Sequence, residues 1–176
     1  MRAKSLVGVL GLACMSVFAQ EKIDLTEGTL LLKGSFAVEY DVVGFDKPEH
    51  KVALKTTAGG GYFFIDRLAA GLALPGEWII APKNAGNFGV EVFSTYYFDL
   101  KNGLFPYAGA SVIPGYSLNA KEFQLKAGLE GGVLVSLSDS LALDFGTKPQ
   151  FAIKMYDTQK WKLSVPLGFI GIKAVF

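Results

Sequence analysis

The sequence is poor in the two residues that most often bind metal ions. It contains one cysteine, Cys14, and one histidine, His50, in 176 residues. A structural zinc site takes four ligands that are mostly Cys or His, and a disulfide takes two cysteines. The composition therefore predicts neither a metal site nor a disulfide, and we expect no cofactor.

An excess of charge of one sign is also missing. The chain has 17 basic and 16 acidic residues, which gives a net charge of +1. A protein that binds nucleic acid through its phosphates needs a clear basic surplus, so we expect no nucleic-acid partner. Hydrophobic residues make up 51% of the chain, which excludes a disordered protein. The 21 glycines and 13% aromatic residues favour strands joined by tight turns.

The first 19 residues have the layout of a secretory signal peptide. Arg2 and Lys4 precede an apolar stretch from Ser5 to Ala13, and Val17-Phe18-Ala19 offers a cleavage site. We place cleavage after Ala19, so that residues 20–176 form one exported domain. A buried N-terminal helix is the alternative.

Cys14 lies inside this segment and admits a second interpretation. Gly11-Leu12-Ala13-Cys14 is similar to a bacterial lipobox, in which the cysteine is lipidated. If cleavage follows Ala19 instead, the mature chain has no thiol.

Alternation of apolar and polar residues recurs along the rest of the chain. In the segment 30–42, for example, Leu32, Phe36 and Val38 share one face, and Lys33 and Glu39 share the other. This period of two is typical of strands with two different faces. Eight strands are predicted, at 30–42, 51–64, 68–74, 88–98, 105–112, 122–135, 141–147 and 161–176. No stretch after the signal peptide reaches 18 consecutive apolar residues, so a transmembrane helix is not predicted.

The connections between these strands alternate in length. Short turns are predicted at 66–67, 100–103 and 138–140, and longer loops at 44–50, 79–87, 114–121 and 156–160. An even number of antiparallel strands with short turns at one end is the plan of an outer-membrane barrel. The sequence therefore predicts an all-β fold, an eight-stranded antiparallel up-and-down transmembrane β-barrel.

The polar face of the strands carries four basic and four acidic residues, and a narrow barrel must pair charges in its interior. We predict a lumen charge network from Lys33, Glu39, Lys55, Glu91, Lys126, Glu130, Asp144 and Lys173. Alternation does not say which face is inside. A soluble barrel with these charges in water and an apolar ligand inside stays open.

The last strand ends in a regular apolar pattern. Counting back by twos from the final residue gives Phe176, Ala174, Ile172 and Ile170. These four resemble the C-terminal signal that outer-membrane barrels present to the barrel-assembly machinery. Upstream the apolar residues change register, and a bulge near Gly168 would reconcile the two parts.

Three segments resemble a known group. GYFFIDRLAAGLAL (61–74) is similar to a strand–turn–strand element of bacterial outer-membrane β-barrel domain proteins, the porin-family or OmpA/OmpX-like small barrels, with Arg67 where asparagine is usual. The segments 93–112 and 123–145 are similar to later hairpins of that group. The resemblance implies an integral protein of the bacterial outer membrane, in contact with its lipid, with a structural or surface-interaction role and at most a narrow pore.

Two other functions remain open. The first is a soluble periplasmic barrel that binds an apolar ligand, as lipocalin-like proteins do. The second is an enzyme acting on lipids at the barrel rim, with His50 as base and Ser117 approaching it. We do not expect the protein to be an enzyme, and the sequence indicates no particular extracellular partner. The aromatic residues near strand ends fit membrane girdles: Tyr40, Tyr62, Trp78, Tyr96, Tyr97 and Trp161.

Overall fold

The structure is a computed structural model that describes residues 22–43, 49–81, 85–100, 103–118, 122–154, 162–164, 166 and 168–176. The predicted signal peptide, with Cys14, lies outside these ranges. So do Trp161 and the side chains of Tyr40 and His50.

Eleven strand segments form one antiparallel sheet. They are β1 (Leu30–Val43), β2 (Glu49–Ile65), β3 (Leu68–Ala81), β4 (Ala85–Gly89), β5 (Glu91–Tyr97), β6 (Leu104–Ser117), β7 (Glu122–Ser136), β8 (Leu141–Thr147), β9 (Gln150–Lys154), β10 (Lys162–Ser164) and β11 (Phe169–Val175). Because β11 pairs with β1, with Lys33 opposite Lys173, the sheet closes on itself as a barrel.

The eleven segments make eight walls, as the sequence predicts. β4 and β5 both pair with β3 and β6, so they are one wall interrupted at Val90. β8 and β9 both pair with β7 and are interrupted at Lys148 and Pro149. β10 pairs with β9 and β11 pairs with β8, so these two form the last wall. The break before β11, where Gly168 has a φ of 154°, lies where the sequence changes register.

The short turns lie where the sequence predicts them, but several strands are longer. β3 continues to Ala81 and β6 to Ser117, so the predicted loops at 79–87 and 114–121 are shorter than expected. β9 follows Pro149 directly and was not predicted. The extension of β3 contains Pro75 and that of β6 contains Pro114. Because proline is rare inside a sheet, the sequence did not predict that the strands continue through these positions.

The two faces of the barrel differ sharply. Large apolar side chains point outward on every wall, among them Leu32, Leu72, Leu129 and Ile172, each more than half exposed. Among the strand residues whose side chains the structure describes, no Asp, Glu, Lys or Arg lies on this outward face. The apolar face is therefore outside, which is the opposite of what a lipocalin-like barrel requires. No helix in the described ranges is long and apolar enough to cross a bilayer.

The short-turn end of the barrel is closed. The segment 22–29 crosses this end, with Ile23 and Leu25 buried among the aromatic and aliphatic core residues. Its backbone bonds to two different turns, because the Asp24 amide donates to the Asp139 carbonyl and the Arg67 amide donates to the Leu25 carbonyl, both at 2.8 Å. We call this segment the floor strap.

Candidate functional site

The charged side chains of the interior lie in three layers between the floor strap and the opposite end. The innermost layer is centred on Asp144. The Tyr107 hydroxyl donates to Asp144 Oδ1 at 2.6 Å, and Lys173 Nζ lies 2.9 Å from Asp144 Oδ2. Lys173 Nζ also lies 4.1 Å from the Tyr107 ring centroid, a cation–π distance. All three side chains are buried, so their charges and polar atoms satisfy one another.

Glycine makes room for this layer. A Cβ at Gly146 would lie 2.4 Å from the Tyr107 hydroxyl oxygen, and one at Gly132 would lie 2.7 Å from it. Both distances are far below van der Waals contact. The tyrosine therefore reaches Asp144 only because two neighbouring walls carry no side chain at these positions.

The middle layer contains two carboxylates, Glu91 and Glu130, bridged by one cation. Lys148 Nζ contacts Glu91 Oε1 and lies 3.7 Å from Glu130 Oε2. Lys33 Nζ approaches Glu91 Oε1 at 3.5 Å, and the Thr95 hydroxyl donates to Glu130 Oε1 at 2.6 Å. Glu91 is fully buried, so the two lysines offset the cost of removing its charge from water.

The outer layer lies nine or ten residues from the short-turn ends of its strands. Lys55 Nζ lies 2.8 Å from Glu39 Oε2. Lys126 Nζ crosses to Glu77 Oε2 at 3.3 Å, and Asn87 donates to the same oxygen at 3.4 Å. The three layers together hold five lysines and five carboxylates, so the described network is neutral.

A cavity of about 90 Å³ lies in the lumen and is lined by residues of all three layers. That volume holds a few water molecules or one small ion. Its lining includes all five lysines of the network, four of its carboxylates (Glu77, Glu91, Glu130 and Asp144) and the side-chain amides of Asn87, Gln124 and Gln150. Two buried oxygens, Glu91 Oε2 and Ser111 Oγ, have no hydrogen-bond partner within the described chain.

The structure places all eight residues of the sequence-derived network inside the barrel, each in an ion pair: Lys33, Glu39, Lys55, Glu91, Lys126, Glu130, Asp144 and Lys173. Sequence reasoning missed Glu77, Lys148 and Tyr107. Glu77 has the inward parity of Ala73 on β3, which is the signal that could have found it. Lys148 lies in the wall interruption, where alternation gives no signal.

One aromatic residue was placed wrongly. Tyr62, Trp78 and Tyr96 point outward as girdle residues do, but Tyr97 is only 1% exposed and packs against Phe63 and Tyr107 inside the barrel. Tyr97 lies on the same face of β5 as Glu91 and Thr95, and its side chain therefore points into the barrel.

The rim-enzyme hypothesis gains no support from the described side chains. Ser117 is buried at the end of β6, and the side chain of His50 lies outside the described residues. No group of three His, Cys, Asp or Glu residues with metal-site geometry occurs within the described ranges.

The closed barrel superposes on solved structures. The Neisserial surface protein A, NspA, superposes with a TM-score of 0.62 at 16% identity, over 85% of this chain and 98% of that one. The N-terminal β-barrel domain of Pseudomonas aeruginosa OprF gives a TM-score of 0.55 at 13% identity, over 85% and 98%.

This chain has the fold of the small outer-membrane β-barrels. No family model and no curated protein matches its sequence, so the likeness lies in the fold. The fold expected from the OmpA/OmpX-like resemblance is thereby confirmed.

Proposed function

We propose that this protein is an integral protein of the bacterial outer membrane, with a structural or surface-interaction role. One observation carries the proposal: the outward face is apolar on all eight walls, and no charged residue lies on it among the strand side chains that the structure describes. Soluble monomers rarely expose contiguous apolar patches above a few hundred Å². A barrel that exposes 29 large hydrophobic side chains is suited to lipid as its surroundings.

The spacing of the outward aromatic residues supports an apolar band as tall as the hydrocarbon region of a membrane. Tyr96 and Phe98 pack edge to face near the short-turn end, and Trp78 and Phe88 do so near the other end. Tyr96 lies opposite Leu68, ten residues before Trp78 on β3. Ten residues span about 33 Å, or about 25 Å of height at the usual strand tilt, which equals the apolar band of such barrels.

The packing of the interior supports a barrel that has at most a narrow pore. The floor strap blocks the short-turn end, and paired charges fill the three layers above it. We therefore propose a blind lumen that opens, if at all, at the end opposite the strap. No described group suggests catalysis, and the proposal includes no enzyme activity.

The last strand is the proposed contact with the barrel-assembly machinery. Ile170, Ile172 and Phe176 are exposed on the outer face of β11, and Ala174 shares that face. We expect Phe176→Ser to lower the amount of folded protein in the membrane without changing synthesis. The matched change Phe98→Ser, at another exposed aromatic, should have a smaller effect. Equal losses would remove the special role of the last strand.

Heat modifiability tests the membrane proposal. The membrane fraction is extracted with detergent and run in SDS with and without boiling. We expect the protein to need detergent and its unboiled band to shift on boiling, because closed barrels resist SDS until they are heated. A protein that extracts into buffer and shows no shift would overturn the proposal.

A further inference from the structure

In the outer and middle layers the lysine side chains are more exposed than the carboxylates with which they pair. In the outer layer the side chains of Lys55 and Lys126 are 18% and 20% exposed, whereas their partners Glu39 and Glu77 are 2% and 10% exposed. In the middle layer Lys148 is 13% exposed and Glu91 is 0% exposed. The network is neutral in sum, but the cavity is lined by all five of its lysines and by only four of its carboxylates, since Glu39 is not part of the lining, so the lining has a net charge of +1.

From this asymmetry we infer that the cavity of the outer lumen is a binding site for a small inorganic anion, held by Lys55 and Lys126. Glu77 is the register partner of Lys55 on the neighbouring strand, its Oε2 lies 3.3 Å from Lys126 Nζ, and all three residues line the cavity. An anion at this point meets ammonium groups from two different walls. Ammonium and amide N–H groups are hydrogen-bond donors for an anion, and Asn87 and Gln124 line the same space.

The size and depth of the cavity favour a free ion over a headgroup of a larger molecule. Its volume of about 90 Å³ accommodates a halide or a phosphate ion with some water. The site also lies within the strands and not on their rim, since Lys55 and Lys126 are both enclosed by paired walls.

A buried carboxylate oxygen of Glu91 defines a second candidate site, for a cation instead of an anion. Glu91 Oε2 is buried and has no hydrogen-bond partner within the described chain, which suits a cation or a water molecule. Two ammonium groups, of Lys33 and Lys148, already face this carboxylate. They repel a further cation, so a water molecule is the better partner for Glu91.

The experiment uses chloride-35 NMR line width as the measure of anion binding. Full-length protein, folded in a non-ionic detergent, is titrated into dilute chloride, and phosphate is then added as competitor. We expect excess line broadening that phosphate reverses. Lys126→Gln should weaken binding about tenfold, because the site loses one of its two ammonium groups, and Lys55→Gln/Lys126→Gln should abolish it.

Two further variants separate binding from a structural effect. Glu77→Gln removes a carboxylate and frees Lys126, so it should strengthen chloride binding severalfold. If the Glu77–Lys126 ion pair only held the barrel together, Glu77→Gln and Lys126→Gln would both weaken chloride binding. That result would overturn the proposal. Lys22→Gln removes the same charge from the opposite end, next to Asp99, and should leave the line width unchanged.

Position is tested by bromide. Anomalous diffraction from crystals grown with sodium bromide should show a peak between Lys55 and Lys126. A wild-type line width equal to that of the double variant would contradict the inference. Crystals grown with rubidium bromide that show a rubidium peak beside Glu91 and no bromide peak would also contradict it. Heat modifiability of each variant checks that the barrel has folded.

Discussion

Removing the Lys173 ammonium tests how strongly the inner charge layer depends on pairing. Lys173 is 2% exposed and is the cation paired with Asp144, whose other oxygen accepts from Tyr107. Lys173→Met keeps an unbranched apolar side chain of nearly the same length and removes the ammonium group. We expect a large loss of stability, because Asp144 would stay buried with one hydroxyl donor and no counter-charge.

The size of this loss follows from the burial of the pair. Breaking a buried ion pair from one side costs about 3–5 kcal/mol, whereas an exposed pair contributes about 0–1 kcal/mol. Lys22, whose side chain is 53% exposed beside Asp99, is the matched control for the exposed case. Lys173→Met/Asp144→Leu removes both charges. It should recover part of the lost stability, since apolar pairs of similar volume replace buried ion pairs at little cost, while the buried Tyr107 hydroxyl loses its acceptor.

Urea unfolding of the protein in lipid vesicles, followed by gel mobility without boiling, gives the free energies of unfolding. We expect Lys173→Met to lose at least about 3 kcal/mol, Lys22→Met to lose less than about 1 kcal/mol, and the double variant to lie between them. Equal effects of Lys173→Met and Lys22→Met would refute the buried inner layer. A double variant no better than Lys173→Met would refute the pairing.

Three further changes probe the wall, the packing and the floor, each by the same urea assay. Leu72→Arg puts a charge at mid-height on the lipid face and should destabilise by about 2–4 kcal/mol, whereas a soluble barrel would tolerate it. Gly146→Ala places a Cβ against the Tyr107 hydroxyl and should cost about 1–3 kcal/mol, an effect that Tyr107→Phe in the same chain should reduce. Ile23→Ala removes a buried side chain of the floor strap and should cost about 2–4 kcal/mol; no change would show that the strap does not seal the barrel.

The period of two was enough to predict the walls and most of the lumen. Lys33 and Glu39, or Glu91 and Thr95, share a parity that can only place them together on one side. Parity did not say which side, because it defines two faces and not their surroundings. The choice follows from closure: in the structure the side with long charged residues and glycines is the concave one.

The parts of the structure that the sequence did not predict lie where apolar and polar residues do not alternate. Lys148 lies where β8 gives way to β9, and the floor strap has no regular strand, so neither has a period to follow. Arg67 adopts a φ of 68° in the turn between β2 and β3. Asparagine tolerates that conformation better than arginine, which gives a physical reason for the asparagine usual at this point in similar barrels.

The central claim is that the outward apolar face contacts lipid. A spin label at single cysteines along β3 tests it, since Cys14→Ser removes the only native thiol. With the protein in vesicles, labels at Leu72→Cys and Leu74→Cys should be accessible to oxygen and shielded from a nickel chelate in water. A label at Ala73→Cys, which faces the lumen, should be shielded from oxygen. High nickel accessibility at Leu72 and Leu74 would contradict the account, because those side chains would then face water.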